Sequence, residues 1–220
     1  MNANELMYRI IDSQDYILLS LFWVMFCVLH SLLITPSVMA FFRSRTGRFF
    51  RYYRAAYNLI ALITLILVLI YSQSVDSPVI FQWEEYRMLQ ISLIILATGI
   101  FLAGGWYYNW QEFWGILQIK LNNKLTGDTP VRPKLVTKGL LGVVRHPLYL
   151  GVLIFLWPHE LSVKSLIINT ILSLYIIEGT ILEEQKLVAE YGDIYRDYQK
   201  RVSMLFPLKW IESIFSRSGV

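Results

Sequence analysis

The chain has 220 residues and a formal net charge of +4, with 55% hydrophobic and only 16% charged residues. A soluble domain usually carries about 25% charged residues, so this composition disfavours a soluble enzyme and excludes a disordered or fibrous chain. No Asp, Glu, Lys or Arg occurs in residues 16–42, 55–75 or 88–111, and each window reaches the roughly 20 residues that a bilayer span needs.

In chain order, the first span is expected over residues 16–34, ended by Thr35-Pro36. No small-residue cleavage site follows it, so it reads as a retained span and not a signal peptide. The single cysteine, Cys27, lies within it and reads as a free core thiol. A second span is expected over residues 55–71 and a third over 88–108. In the third, Gly104-Gly105 would allow tight helix packing. Residues 147–182 are apolar apart from Glu160, Lys164 and Glu178. Their length fits two helices near the short limit, turned at Trp157-Pro158-His159-Glu160, because Pro158 removes a donor and clashes with the preceding turn. The fold class is therefore all-α: a polytopic membrane helix bundle of about five transmembrane helices, followed by a cytoplasmic amphipathic helix. Residues 1–108 form a three-span region and 109–220 a second region, within one integrated membrane domain.

Lysine and arginine bias sets the orientation. The connection 36–54 holds Arg43, Arg45, Arg48, Arg51 and Arg54 with no acid. The connection 72–87 holds Asp76, Glu84 and Glu85 against Arg87. The connection 109–146 holds Lys120, Lys124, Arg132, Lys134, Lys138 and Arg145 against Glu112 and Asp128, and the tail carries Lys186, Arg196, Lys200, Arg201, Lys209 and Arg217 among acids. Basic-rich and basic-poor sides alternate as five spans require. The N-terminus is expected outside and the C-terminus in the cytoplasm, so both long polar segments share the cytoplasmic face.

Three segments can carry chemistry. Arg145-His146-Pro147 stands where a loop enters the fourth span. Pro147 suits the first turn of a helix, and the orphan N–H groups and dipole there favour an anion. Arg145 offers a planar fork for a carboxylate, and Tyr149 and Gly151 follow in the first turns. A membrane-interface anchor accounts equally for Arg and Tyr at this depth. The second segment is Glu183-Glu184, where the fifth span leaves the membrane. Two acids at a helix C-terminus oppose the dipole, which marks them as functional candidates or as partners of Lys186 or a loop arginine. The third is Val188, Tyr191, Tyr195, Tyr198 and Val202, at three- and four-residue spacing, which is one face of an amphipathic helix. Tyr195 and Tyr198 could stack on a flat ring, and Arg201 could pair with an anion. Gly115 could approach a cofactor. His30, Asn58, Asn169 and Glu178 lie within spans, where a polar group is a candidate by default. No nucleotide-binding glycine motif, phosphate loop, serine elbow or zinc spacing is present.

Leu135-Val136-Thr137-Lys138-Gly139 with Arg145-His146-Pro147-x-Tyr149-x-Gly151 resembles the signature of the integral-membrane methyltransferases, which include the isoprenylcysteine carboxyl and phospholipid methyltransferases. Leu182-Glu183-Glu184, then Tyr191-Gly192, Tyr195, Tyr198, Arg201-Val202 and Pro207, is similar to the C-terminal motif of the same family. His30-Ser31-Leu32-Leu33 and the segment from Glu112 to Gln118 look like its NnrU-like and methanethiol S-methyltransferase branch. The resemblance covers about residues 109–210. It implies S-adenosyl-L-methionine as methyl donor on the cytoplasmic side, and a lipophilic or small thiol or carboxylate acceptor among the membrane lipids. It further implies that Glu183 or Glu184 holds the donor's ammonium. Lys138, Gly139, Arg145, His146 and Pro147 would lie about its carboxylate and nucleoside. Tyr149, Tyr195 and Tyr198 would border the sulfonium, and Arg201, Tyr149 and Glu184 would act on the acceptor. Two other readings are an NADPH-dependent sterol-type reductase, whose related Arg-His-Pro-Asn-Tyr string has Asn where Leu148 stands here, and a non-catalytic membrane protein on the same scaffold.

Overall fold

The computed structural model describes residues 3–121 and 135–217, with side chains for 13–120 and 135–216. Lys124, Asp128, Arg132 and Lys134, counted above in the third connection, lie outside the described residues, as does the side chain of Arg217. The elements in order are α1 (Ala3–Leu33), α2 (Pro36–Thr46), α3 (Tyr53–Ser74), β1 (Val79–Phe81), α4 (Arg87–Gly105), α5 (Trp110–Phe113), α6 (Ile116–Leu121), α7 (Pro147–Leu156), β2 (Leu161–Ser162), α8 (Val163–Tyr191), α9 (Asp193–Arg201) and α10 (Leu208–Arg217). Short 3₁₀ turns occupy Gly47–Tyr52, Glu84–Tyr86 and Gly139–Gly142. Four segments are long and apolar enough to cross a membrane: Ser13–Leu33, Pro36–Ser74, Glu84–Gly105 and Val163–Tyr191. The protein is an all-α polytopic bundle.

The described residues group into two compact units. The first takes in Met1–Phe81, Asn109–Pro130 and Leu161–Leu172, and the second Gln82–Tyr108, Val131–Glu160 and Ser173–Val220. In the first, Leu19 and Trp23 of α1 and Val68 of α3 are buried against Phe26, Leu65 and Ile168. Trp23 Nε1 donates to Ser72 Oγ at 3.0 Å, so the one polar atom of that ring is satisfied inside the apolar layer. The intramembrane His30 meets the Tyr57 hydroxyl at 2.8 Å, which accounts for a polar ring at that depth. β1 and β2 pair antiparallel, with Val79 opposite Ser162. Gly115 has φ +80°, and a Cβ there would sit 2.9 Å from Ala55 N. The close approach expected of Gly115 is thus made to the start of α3.

In the second unit, α4 and α7 run antiparallel in close contact. A Cβ on Gly104 would lie 2.8 Å from Leu148 N, and one on Gly151 would lie 2.8 Å from Phe101 N. Each helix gives up a side chain where the other's backbone passes, the usual small-residue solution between membrane helices. The fourth expected span differs from a full helix. α7 has ten residues, about 15 Å of helix against a hydrocarbon layer of about 30 Å. The chain continues along α4 as the non-helical turn at Pro158. There Gln90 Nε2 donates to Pro158 O at 3.0 Å and Trp83 Nε1 donates to His159 O at 2.8 Å. Irregular backbone at membrane depth must find partners within the protein, and these two side chains supply them. The amphipathic segment also differs. It is not one helix, because α8 stops at Tyr191 and α9 starts at Asp193, with Gly192 between them at φ +61°.

Gly151→Val is expected to destabilise the purified protein by about 1–3 kcal/mol through overpacking. Gly179→Val, where a Cβ meets nothing within 4 Å, should change little. Thermal unfolding of both variants in neutral detergent checks this, and equal losses would contradict the close α4–α7 contact.

Candidate active site

The site is built on Glu184, in the last third of α8. Its residue exposure is 6%, yet an ionised carboxylate cannot be left bare in such surroundings. Five hydrogen bonds surround it. Oε1 accepts from Arg145 Nε at 2.9 Å, His146 Nε2 at 2.6 Å and the Tyr195 hydroxyl at 2.5 Å. Oε2 accepts from Arg145 Nη2 at 2.6 Å and Gln199 Nε2 at 2.6 Å. The arginine contact is a two-pronged fork on one carboxylate, the strongest geometry available to this pair. Arg145 Nη1 also donates to the carbonyls of Gln199 (3.3 Å) and Val202.

Local sequence explains how four elements reach one point. Val144 and Ser203 form a parallel bridge, after which Arg145 N donates to Ser203 O at 2.9 Å and His146 N to Met204 O at 3.1 Å. Pro147 then starts α7, with His146 as its N-cap residue. The anion held beside this helix start is Glu184 of the same chain, through the Arg145 and His146 side chains. On α9, Tyr195 and Tyr198 project to one side and pack edge to face at 5.6 Å. With Val202 they form a buried cluster against Leu135, Leu187, Val188 and Tyr191. Tyr198 donates to Leu141 O at 2.5 Å. Burial, then the bond to Glu184, holds the Tyr195 hydroxyl well above the usual tyrosine range, and burial pushes Tyr198 up to about 12. Both remain hydrogen-bond donors at physiological pH.

Glu183 stands differently. Adjacent helix residues point about 100° apart, so it leaves the Glu184 cluster, and its side chain is 35% exposed. His146 Nδ1 lies 3.8 Å from Glu183 Oε2, so one imidazole has a glutamate on either side. The Tyr149 ring stacks on His146 with centroids 5.8 Å apart, and its hydroxyl reaches Glu183. Tyr108 also neighbours Glu183; burial, then that charge, pushes its hydroxyl up to about 12. The other side of this helix, at Ile181, Glu184, Gln185 and Val188, borders an open groove of about 330 Å³ completed by Gln199 and Met204.

The structure therefore brings together Arg145, His146, Pro147, Tyr149, Glu183, Glu184 and Tyr195, with Tyr198 one hydrogen bond away on Leu141. Lys138, Gly139 and Arg201 take no part in the network. Lys138 and Arg201 are exposed, with Arg201 Nε donating to Asp197 O at 3.2 Å. Gly139 has φ +64° with the Tyr107 hydroxyl against it. Sequence reasoning missed Gln199 and Tyr108. Gln199 is four residues from Tyr195, one helical turn along the same face, and that spacing was the available signal. Nothing local marks Tyr108.

A bundle of long apolar helices that encloses a saturated acid and presents a second, accessible one defines a polytopic membrane protein with a polar centre built by its last helices. The NnrU protein family profile matches residues 18–204, and the chain belongs to that family. Methanethiol S-methyltransferase 1 of Bradyrhizobium diazoefficiens is 31% identical over 165 residues, covering 73% of this chain and 56% of that protein. The methanethiol S-methyltransferase of Pseudomonas deceptionensis is 33% identical over 159 residues, covering 70% and 59%. The protein-S-isoprenylcysteine O-methyltransferase of Schizosaccharomyces pombe is 33% identical over 78 residues, 34% of this chain and 33% of that protein. The chain thus spans less than two thirds of the length of these relatives. No solved structure matches it.

Removing one partner of a buried ion pair leaves an uncompensated charge and costs about 3–5 kcal/mol. Glu184→Leu is expected to show a loss of that order, and Arg145→Met with Glu184→Leu together should recover part of it. Unfolding in detergent measures both. A double variant no better than the single one would remove the ion pair as the cause.

Proposed function

We propose that this protein is a membrane-embedded methyltransferase that uses S-adenosyl-L-methionine and acts on a small thiol or a lipophilic thiol or carboxylate acceptor. The observation that carries the reading is the division between the two adjacent glutamates. Glu184 is filled by five donors of the chain, whereas Glu183 keeps an accessible carboxylate among Tyr108, Tyr149 and His146. The names of the relatives, methanethiol S-methyltransferase and isoprenylcysteine O-methyltransferase, support the reaction class.

The residues fit the chemistry of such a donor, which carries an ammonium, a carboxylate and a sulfonium and supplies an electrophilic methyl group. Glu183 would pair with the ammonium by a charge-assisted hydrogen bond. The Tyr149 and Tyr108 rings would face the sulfonium, since a cation is attracted to an aromatic face. Arg145, His146, Glu184, Tyr195 and Gln199 are assigned to positioning: they fix the start of α7 and thereby Tyr149. Lys138 and the turn at Gly139–Gly142 would lie beside the donor's carboxylate and nucleoside, and Arg201 would steer an anionic acceptor. Holding two reactants in line is worth up to roughly 7–11 kcal/mol, and a thiol acceptor releases its proton to water. Twenty residues of helix span the hydrocarbon layer. Counted from Val163, they end at Leu182, so Glu183 is the first residue beyond, within reach of a water-borne donor and a membrane-dissolved acceptor. The lysine and arginine bias supports a cytoplasmic position for this end, with the N-terminus outside.

The purified protein, incubated with methyl-labelled S-adenosyl-L-methionine, is expected to yield a labelled thioether from methanethiol or a labelled methyl ester from the carboxylate of a prenylated cysteine. Glu183→Gln should raise the donor KM at least tenfold without lowering Tm. Unchanged donor affinity in that variant would overturn the role of Glu183. Absence of both donor binding and label transfer would overturn the enzyme reading.

A further inference from the structure

We propose that α2, the turn at Gly47–Tyr52 and the start of α3 form a seat for one anionic glycerophospholipid. The site is separate from the glutamate pair and does not depend on methyl transfer. From residue 16 to residue 75 the chain has no acidic side chain, yet it places arginines at 43, 45, 48, 51 and 54. α2 ends where Gly47 adopts φ +49°, and the tight turn that follows brings Phe50 to Arg43, while the other arginines lie over rings of α2 or of the next residue. Arg43 lies 4.8 Å from the Phe50 centroid, Arg45 5.4 Å from Phe41, Arg48 5.0 Å from Phe49 and Arg51 4.7 Å from Tyr52.

A guanidinium over a ring face interacts through its charge and keeps N–H donors for another partner, the donors that grip phosphate oxygens in two-pronged fashion. Arg43, Arg45 and Arg48 are exposed. Among the described residues the salt bridges are made by Arg145, His146, Arg196 and Lys200 and none by these three. A group of cations with no acid on its own stretch of chain calls for an external anion. The same rings that carry the guanidiniums open onto an apolar pocket. Phe49, Phe50 and Tyr52 line it with Leu33, Phe42 and Ile60, and its volume is about 260 Å³. Its lining is almost free of polar atoms, so it suits a hydrocarbon chain and not a second phosphate. A negative headgroup joined to an acyl chain matches both halves, and the chain reads as spanning a membrane that supplies such molecules. Juxtamembrane arginines add roughly tenfold or less each to the affinity for an anionic lipid surface.

The test uses the full chain in neutral detergent micelles doped with phosphatidylglycerol or phosphatidylcholine, with bound lipid counted by native mass spectrometry. Phosphatidylglycerol is expected to be retained in preference to phosphatidylcholine. Arg43→Gln, Arg45→Gln and Arg48→Gln together should weaken that retention by roughly 100-fold. Ala56→Leu, which fills the pocket and keeps every arginine, should also weaken it, and stands as the test if the triple variant misfolds. Glycerol phosphate, the headgroup without chains, should not compete at lipid concentrations. Equal retention of the two lipids, unchanged retention in the arginine and Ala56 variants, or competition by glycerol phosphate as strong as by the lipid would overturn the proposal.

Discussion

An ionised carboxylate taken out of water keeps its charge only where hydrogen bonds and a counter-charge replace its hydration. Glu184 meets that condition with donors from two sides: Arg145 and His146 at the start of α7, and Tyr195 and Gln199 on α9. Each of these elements is ordinary by itself. α7 is a short apolar helix, α9 a nine-residue polar one, and Ser203 after it makes a single parallel bridge to Val144. Their common requirement is the acid they surround, so the arrangement of the second unit follows from satisfying one buried anion.

That requirement shapes the neighbouring residue. Because Glu184 is saturated, the pair is not two equivalent acids at a helix end. One is enclosed by the Arg145 and His146 side chains that precede α7, and the other stands beside the Tyr149 hydroxyl with its carboxylate part exposed. Arg145 is drawn inward for the same reason, with its fork directed at protein and not at solvent. Polar chemistry at a membrane surface needs such a partition, because groups that fix geometry must be closed to water while groups that meet a ligand must stay open.

The spans were legible in the sequence because exclusion of charge over 20 or more residues has no other common cause. The tyrosine face of residues 188–202 was legible from its three- and four-residue spacing, and the tight approach of α4 from Gly104. The breaks were harder. Gly192 splits the tyrosine segment without disturbing its spacing, and α7 stops at Leu156 ahead of Pro158, where the freed carbonyls of Pro158 and His159 accept from Gln90 and Trp83, far away in sequence. The Glu184 network joins residues 39, 38, 11 and 15 positions away. Periodicity states which side of a helix a residue occupies, not what a distant segment brings to that side, so the glutamates were read either as ligand groups or as partners of Lys186 or an unspecified loop arginine, and the structure names that arginine as Arg145.

Gly192 joins α8, which carries the acid, to α9, which carries two of its donors. A side chain there would touch nothing within 4 Å, so space does not demand a glycine; the torsion φ +61° does, since it favours a residue without Cβ. That single rotation sets the phase of α9 about its own axis. A helix advances 100° per residue, so a modest error in phase would carry Tyr195 and Gln199 away together, because they sit one turn apart on one line. The placement of the two α9 donors is thus transmitted through one backbone angle, at a residue whose carbonyl also accepts from Tyr195 N at 3.1 Å.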